Sequence, residues 1–228
     1  MSPSAAGKED VMIVKTVPIR TDHTQVTLTT YFQDHSPELG ENRKRPVVLI
    51  CPGGGYGFLS DREAEPVALR MCGMGFHACV LRYSIAPETF PTALWELASS
   101  VAWLREHAQE YHIDESIGVF WNRDFLAELT GFSAEQMRPD RLILCYPVIT
   151  SGKYAHMGSF ENLLGKDCGD EQKREFVSLE KQVTSDMPKT FLWHTFADGA
   201  VPVENSLLLA EAMRKAGVPF ELHIFPDG

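Results

Sequence analysis

Pro46-Val-Val-Leu-Ile-Cys51-Pro-Gly53-Gly54-Gly55-Tyr56-Gly57 is the stretch on which the fold turns. Its first half is a continuous apolar run, as expected of a strand buried on both faces of a parallel sheet. Its second half is a glycine-rich loop entering a helix, with Ser60 or Asp61 as the cap and Gly73 and Gly75 near the end. Glycines between a buried strand and a helix let backbone N–H groups come close to a ligand. A phosphate-binding P-loop is excluded, because no Gly-Lys-Ser/Thr close follows. A dinucleotide fingerprint, G-x-G-x-x-G, finds its first pair but meets Phe58 or Ser60 where the third glycine belongs. An oxyanion-holding loop and a plain tight turn both stay open at this point.

Upstream, Val11–Val17 and Thr24–Phe32 read as an antiparallel edge pair around Thr21-Asp22-His23, with Val26 and Leu28 alternating against Thr27 and Thr29. Downstream, His77–Tyr83, Leu142–Ile149, Thr190–His194 and Phe220–Phe225 read as further strands. Leu94, Leu97, Val101, Leu104 and Ala108 form one apolar helix face, and Leu207, Ala210 and Met213 mark another helix. This alternation predicts an α/β fold: three layers around a mostly parallel, doubly wound sheet. Residues 1–228 read as a single domain without repeats, in which Ser151–Asp186 is an insertion or lid. One interval breaks the pattern. A helix-like stretch, Ile117–Leu129, follows a helix with no buried strand before it.

Composition narrows the function. Among 228 residues, 21 Lys+Arg against 31 Asp+Glu leave a formal charge of −10, which disfavours nucleic acid and anionic membranes as partners. No apolar run approaches the ~20 residues of a membrane span, and the polar N-terminus is no signal peptide. Five cysteines include no C-x-x-C pair, and four lie in apolar runs, so a reduced, cytoplasmic protein is expected. No metal-ligand spacing emerges: His107 and His112 read as helix surface, and Met71 and Met74 as core filler. No cofactor is expected.

Four segments carry a resemblance: Pro46–Tyr56, Val80–Ser84, Pro139–Ile149 and Leu192–Val203. Together they resemble the α/β-hydrolase superfamily, and within it the acetylxylan esterases and related small carbohydrate esterases, where a P-G-G-G-Y loop stands in for HGGG. The resemblance implies an esterase acting on a small ester or acetylated sugar through a Ser-His-Asp triad. It implies Asp198, in Asp198-Gly-Ala-Val-Pro202, as the triad acid that orients the imidazole; the competing reading is a helix cap. It implies Gly54, Gly55 and Tyr56 as oxyanion donors, with Tyr83, Ser84 and Pro87 bordering the substrate.

The departures are as telling. The nucleophile elbow needs G-x-S-x-G between strand and helix. Gly131-Phe-Ser133-Ala-Glu135 lacks the second glycine and lies in the wrong context, so Ser133 is read as a decoy. In the family the elbow lies between segments like His112–Ser116 and Ile117–Trp121, which are joined directly here. A strand, elbow and helix turn are therefore expected to be missing at Ser116–Ile117, the same interval where the alternation fails. The family's catalytic His follows the last strand in a G-H-G context, and this chain stops at Phe225-Pro-Asp-Gly228, so a truncated C-terminus is expected. His223 is read as a packed strand residue, and His194 as a weak substitute base. The chain is expected to be inactive, either an incomplete esterase or a remnant that binds small acyl or sugar ligands. It is also expected to be poorly soluble or molten unless its sheet closes up.

Overall fold

The structure, a computed structural model, describes residues 12–22, 25–35, 38, 40, 43–114 and 124–227. Strand β3 (Arg45–Ile50) is the apolar run that opens the glycine loop, and it pairs in parallel with β4 (His77–Arg82). On its other side it meets only β5 (Ile113–Asp114), through Arg45↔Ile113 and Pro46↔Asp114. Beyond β4 come β2 (Thr27–Phe32) and β1 (Ile13–Pro18), both antiparallel, giving the order β1-β2-β4-β3-β5. The expected edge pair is thus half right: β1 is the edge, while β2 lies inside the sheet with Leu28 and Phe32 fully buried.

Helices cover both faces of this sheet. From α2 (Thr92–Glu106), Val101 and Leu104 pack with Val26, Leu28, Leu81 and Ile113. From α1 (Glu65–Gly73), Ala68 and Cys72 pack with Ala78 and Val80 on the opposite face. These are the three expected layers.

Strands β6 (Arg141–Cys145), β7 (Lys189–Thr195) and β8 (Phe220–Phe225) form a second, wholly parallel sheet. Short helices α3 (Asp124–Thr130) and α4 (Ala134–Met137) precede it. Helices α5 (Met157–Leu164) and α6 (Glu171–Phe176) lie in the connection to β7, and α7 (Glu204–Ala216) joins β7 to β8. Leu209 and Met213 of α7 cover one face through Leu192. The other face is bare: Ile143 is 57% exposed, Phe191 37% and Phe225 49%. His223 lies in the same rows, paired with Trp193 in register. It is exposed and bonded to Glu221 at 2.6 Å, so it is not the packed strand residue expected. Met74 likewise is 59% exposed rather than core filler.

A sheet lacking its elbow strand was expected, and among the described residues the strands fall into two sheets. Val47–Ile50 of β3 have no strand partner on the β5 side, and β6 has none on the edge away from β7. The proposed junction at Ser116–Ile117 lies outside the described residues.

Candidate functional site

Leaving β3, the chain turns sharply at Gly53–Tyr56. Gly54 has φ +142°, and a Cβ there would sit 2.0 Å from the Phe58 carbonyl oxygen, so only glycine fits. Gly55 at φ +59° and Tyr56 at φ 59° continue the left-handed path. The loop's carbonyls and the Gly53 N–H are tied down. Gly53 N–H donates to Glu63 Oε2 at 2.9 Å, the Gly55 carbonyl accepts from Asn162 Nδ2 at 3.0 Å, and the Tyr56 carbonyl accepts from Ala86 N–H at 2.8 Å. Among the described residues, the N–H groups of Gly54, Gly55 and Tyr56 donate to no protein acceptor.

Tyr83 and Ser84 stand behind this loop. The Tyr83 hydroxyl donates to the Pro52 carbonyl at 2.5 Å, and its ring meets Tyr56 edge-on at 5.9 Å. Burial first, then Tyr56, pushes the Tyr83 phenol well up, so it stays a donor. Ser84 is committed to a buried carboxylate: its N–H and hydroxyl donate to Glu96 at 2.7 and 2.6 Å, and Arg20 Nη1 reaches the same group at 3.1 Å. Both residues therefore brace the loop and the wall behind it through their polar atoms.

Asp198 follows β7. Its Oδ1 accepts from the N–H groups of Ala200 and Val201, each at 2.9 Å, and its Oδ2 lies 3.6 Å from His194 Nε2. This is an Asx-type turn ahead of α7, which begins at Glu204. His194 is fully buried, and both ring nitrogens are occupied, Nδ1 by the Ser206 hydroxyl at 2.8 Å and Nε2 by the Val201 carbonyl at 2.9 Å. Ser133 is the N-cap of α4 in a complete capping box with Gln136, which accounts for the decoy motif.

The loop after β3 and the turn after β7 both leave the carboxyl ends of parallel strands, where open α/β sheets build sites. Tyr146 follows β6, the third of these parallel strands. Burial, then Glu63, push its phenol up, and Asp198 adds a smaller push. Sequence reasoning missed Glu63 and Asn162, which fix the loop from 10 and 107 residues away. No local pattern marks such partners. It also missed His156, whose Nδ1 meets the Ser159 hydroxyl at 2.9 Å beside Gly55.

Behind the loop is a cavity of about 290 Å³, walled by Cys51, Tyr56, Leu94, Leu97, Phe160 and Val177 among others. No group of three or more His, Cys, Asp or Glu able to hold a metal occurs among the described residues. No helix among them is long and apolar enough to cross a membrane.

Residues 151–228 match the model of the prolyl oligopeptidase family. Endo-1,4-beta-xylanase B of Butyrivibrio fibrisolvens is 35% identical, the match covering 81% of this chain and 32% of that protein. The acetylxylan esterase of Xylanibacter ruminicola is 27% identical, over 83% of this chain and 42% of that protein. The chain thus spans between about a third and a half of the length of the curated relatives it matches. The crystal structure of an acetyl ester-xyloside bifunctional hydrolase from Caldicellulosiruptor lactoaceticus superposes with TM-score 0.79 at 33% identity, covering 94% of this chain and 86% of that one.

Proposed function

We propose, from the premise that the chain belongs to the α/β-hydrolase superfamily and to its esterases, that its inherited chemistry is hydrolysis of small carboxylic esters, acetylated carbohydrate foremost. The relatives named for acetylxylan and acetyl ester hydrolysis support that substrate class. In the scheme a serine attacks the ester carbonyl and an imidazole takes its proton. The oxyanion is held by backbone N–H groups, and water then releases the acyl group. Asp198 is the acid of this scheme, with Oδ2 left to accept from an imidazole while Oδ1 is held by the turn. Gly54, Gly55 and Tyr56 are the oxyanion donors, and residues 151–186 act as a lid whose Asn162 holds the loop. The observation that carries the reading is this loop, whose three successive N–H groups have no protein acceptor among the described residues while its backbone carbonyls are fixed. Five free cysteines suit a reduced, cytoplasmic setting.

The 228 residues contain no G-x-S-x-G, the motif of the family's nucleophile elbow, and on this reading these residues by themselves turn over no ester. A second reading is a non-catalytic remnant that binds small acyl or sugar ligands, and the apolar cavity behind the loop favours its acyl form. Turnover of p-nitrophenyl acetate and acetylated xylo-oligosaccharide separates the two. The chain as it stands gives none. A version with a family-like strand–elbow–helix inserted after Ser116 and a G-H-G tail after Gly228 hydrolyses both, and Asp198→Asn lowers its rate by about 10⁴-fold. Robust turnover by the unaltered chain that Ser133→Ala abolishes would overturn the proposal.

A further inference from the structure

The cavity behind the loop is unusual in how its walls are buried. Helix α2 is fully buried at Val101 and Leu104 but only half-buried at Leu94 and Leu97, where it faces the cavity. Cys51 has exposed surface, yet burial pushes its thiol up to about 12. Its open surface therefore faces the apolar lining of the cavity. Phe90, Phe125 and Phe160 add aromatic wall, while Glu88 and Phe176, both exposed, mark the mouth. Glu88 is the one charged residue of the lining, and no Lys, Arg or His takes part. Water gains little in such a space, because it finds few partners there. Two hydroxyls of the lining are available: among the described residues those of Tyr56 and Thr89 have no hydrogen-bond partner, and Tyr56 is the one beside the loop.

We infer that this cavity is a binding site for a neutral, elongated apolar molecule with one carbonyl oxygen, which accepts a hydrogen bond from the Tyr56 hydroxyl. Burial keeps that phenol protonated and so a donor. A dry cavity of roughly 150 Å³ holds one benzene ring, so about 290 Å³ takes an alkyl chain of roughly six to ten carbons on the same scale. A carboxylate is disfavoured, since entering the site would strip its water with no cation to replace it and Glu88 at the mouth. A sugar is disfavoured because its hydroxyls would find mostly carbon. The inference concerns binding alone and stands whether or not the ester-hydrolase reading holds.

Isothermal titration of the whole chain with butanamide, hexanamide and octanamide tests it. Each added methylene tightens binding by about fourfold until the cavity is full. Hexanoate at pH 7 binds at least tenfold more weakly than hexanamide. Tyr56→Phe weakens hexanamide by roughly two- to tenfold, and Leu97→Trp, which fills the cavity, abolishes binding. Should Leu97→Trp fail to fold, the unaltered chain still decides the matter. Saturating hexanamide slows alkylation of Cys51 by N-ethylmaleimide, while Cys145, on the second sheet, is labelled at an unchanged rate. Hexanoate binding as tightly as hexanamide, or Cys51 labelling unaffected by hexanamide, overturns the inference.

Discussion

His77 makes the stability of the first sheet depend on pH in a calculable way. It opens β4 and is only 1% exposed. Its Nδ1 accepts from Gln33 N–H at 3.1 Å, and its Nε2 lies 3.0 Å from the Tyr111 carbonyl. One nitrogen must therefore accept while the other donates, which is the pattern of a neutral ring. A second proton would aim the Nδ1 hydrogen at the Gln33 N–H. Burial first, then Arg45 and His112, lower the pKa to about 4, against an ordinary value of 6.5. The folded-state pKa is depressed, so between pH 6.5 and 4 the unfolded chain binds a proton that the folded one refuses. Stability is complete above that window, falls as the pH drops through it and levels off below pH 4. A shift of about 2.5 units at 1.36 kcal/mol each is about 3.4 kcal/mol, which solvent screening reduces to about 2–3 kcal/mol.

Urea unfolding followed by tryptophan fluorescence from pH 7.5 to 4.5 reads this directly. His77→Gln keeps one donor and one acceptor but cannot titrate. The unaltered chain is expected to lose about 2 kcal/mol more than His77→Gln over that range. Equal pH slopes for the two would refute the reasoning and place the acid sensitivity elsewhere.

Gly54→Ala is expected to cost about 3 kcal/mol of unfolding free energy, from left-handed strain and the weakened bonds to the Gly54 carbonyl. Gly73→Ala, where an added Cβ meets nothing within 4 Å, should raise stability by roughly 0.5 kcal/mol; like signs in the melts would refute this contrast. Replacing Ile143, Phe191 and Phe225 together by Thr is expected to raise the soluble fraction and reduce binding of 8-anilinonaphthalene-1-sulfonate, because all three stand on the bare sheet face. Undiminished dye binding would show that the exposed apolar surface lies elsewhere.

Elements fixed by short-range pattern were legible in the sequence. The run before Cys51 is β3, the Leu94–Leu104 spacing is α2, and Phe220–Phe225 is β8 with the expected bounds. Strand β6 stops at Cys145, short of the expected Ile149, because Tyr146 takes φ 39° and leaves the extended path. Periodicity carries no sign of such a turn. What holds the candidate loop was hidden for another reason. Glu63 and Asn162 act through single hydrogen bonds made across the fold, and a surface carboxylate or amide looks the same in sequence whether or not it has such a partner. Asp198 shows the opposite case: the helix-cap reading could be made from the sequence, and one carboxylate oxygen does serve the turn while the other lies 3.6 Å from the buried His194 ring.

The failed alternation near Ser116 and three features of the structure point to one place. Val47–Ile50 of β3 lack a strand partner on the β5 side, and so does the outer edge of β6. The cavity draws its walls from the chain just after β3 and β6 and from the first half of α2. Leu94 and Leu97 stay half-buried only on that half of α2, while Val101 and Leu104, further along the same face, are sealed by the first sheet. A parallel strand set between β3 and β6 would meet both unpaired edges and the exposed leucines at once. Among the described residues no such strand occurs, and the two sheets have separate cores, Val101 and Leu104 in the first and Leu209 and Met213 in the second. Each core has its own covering helix, so packing within either sheet does not depend on the other. The cavity is therefore lined by side chains whose elements are held by these cores, which is the condition for it to select a ligand rather than collapse.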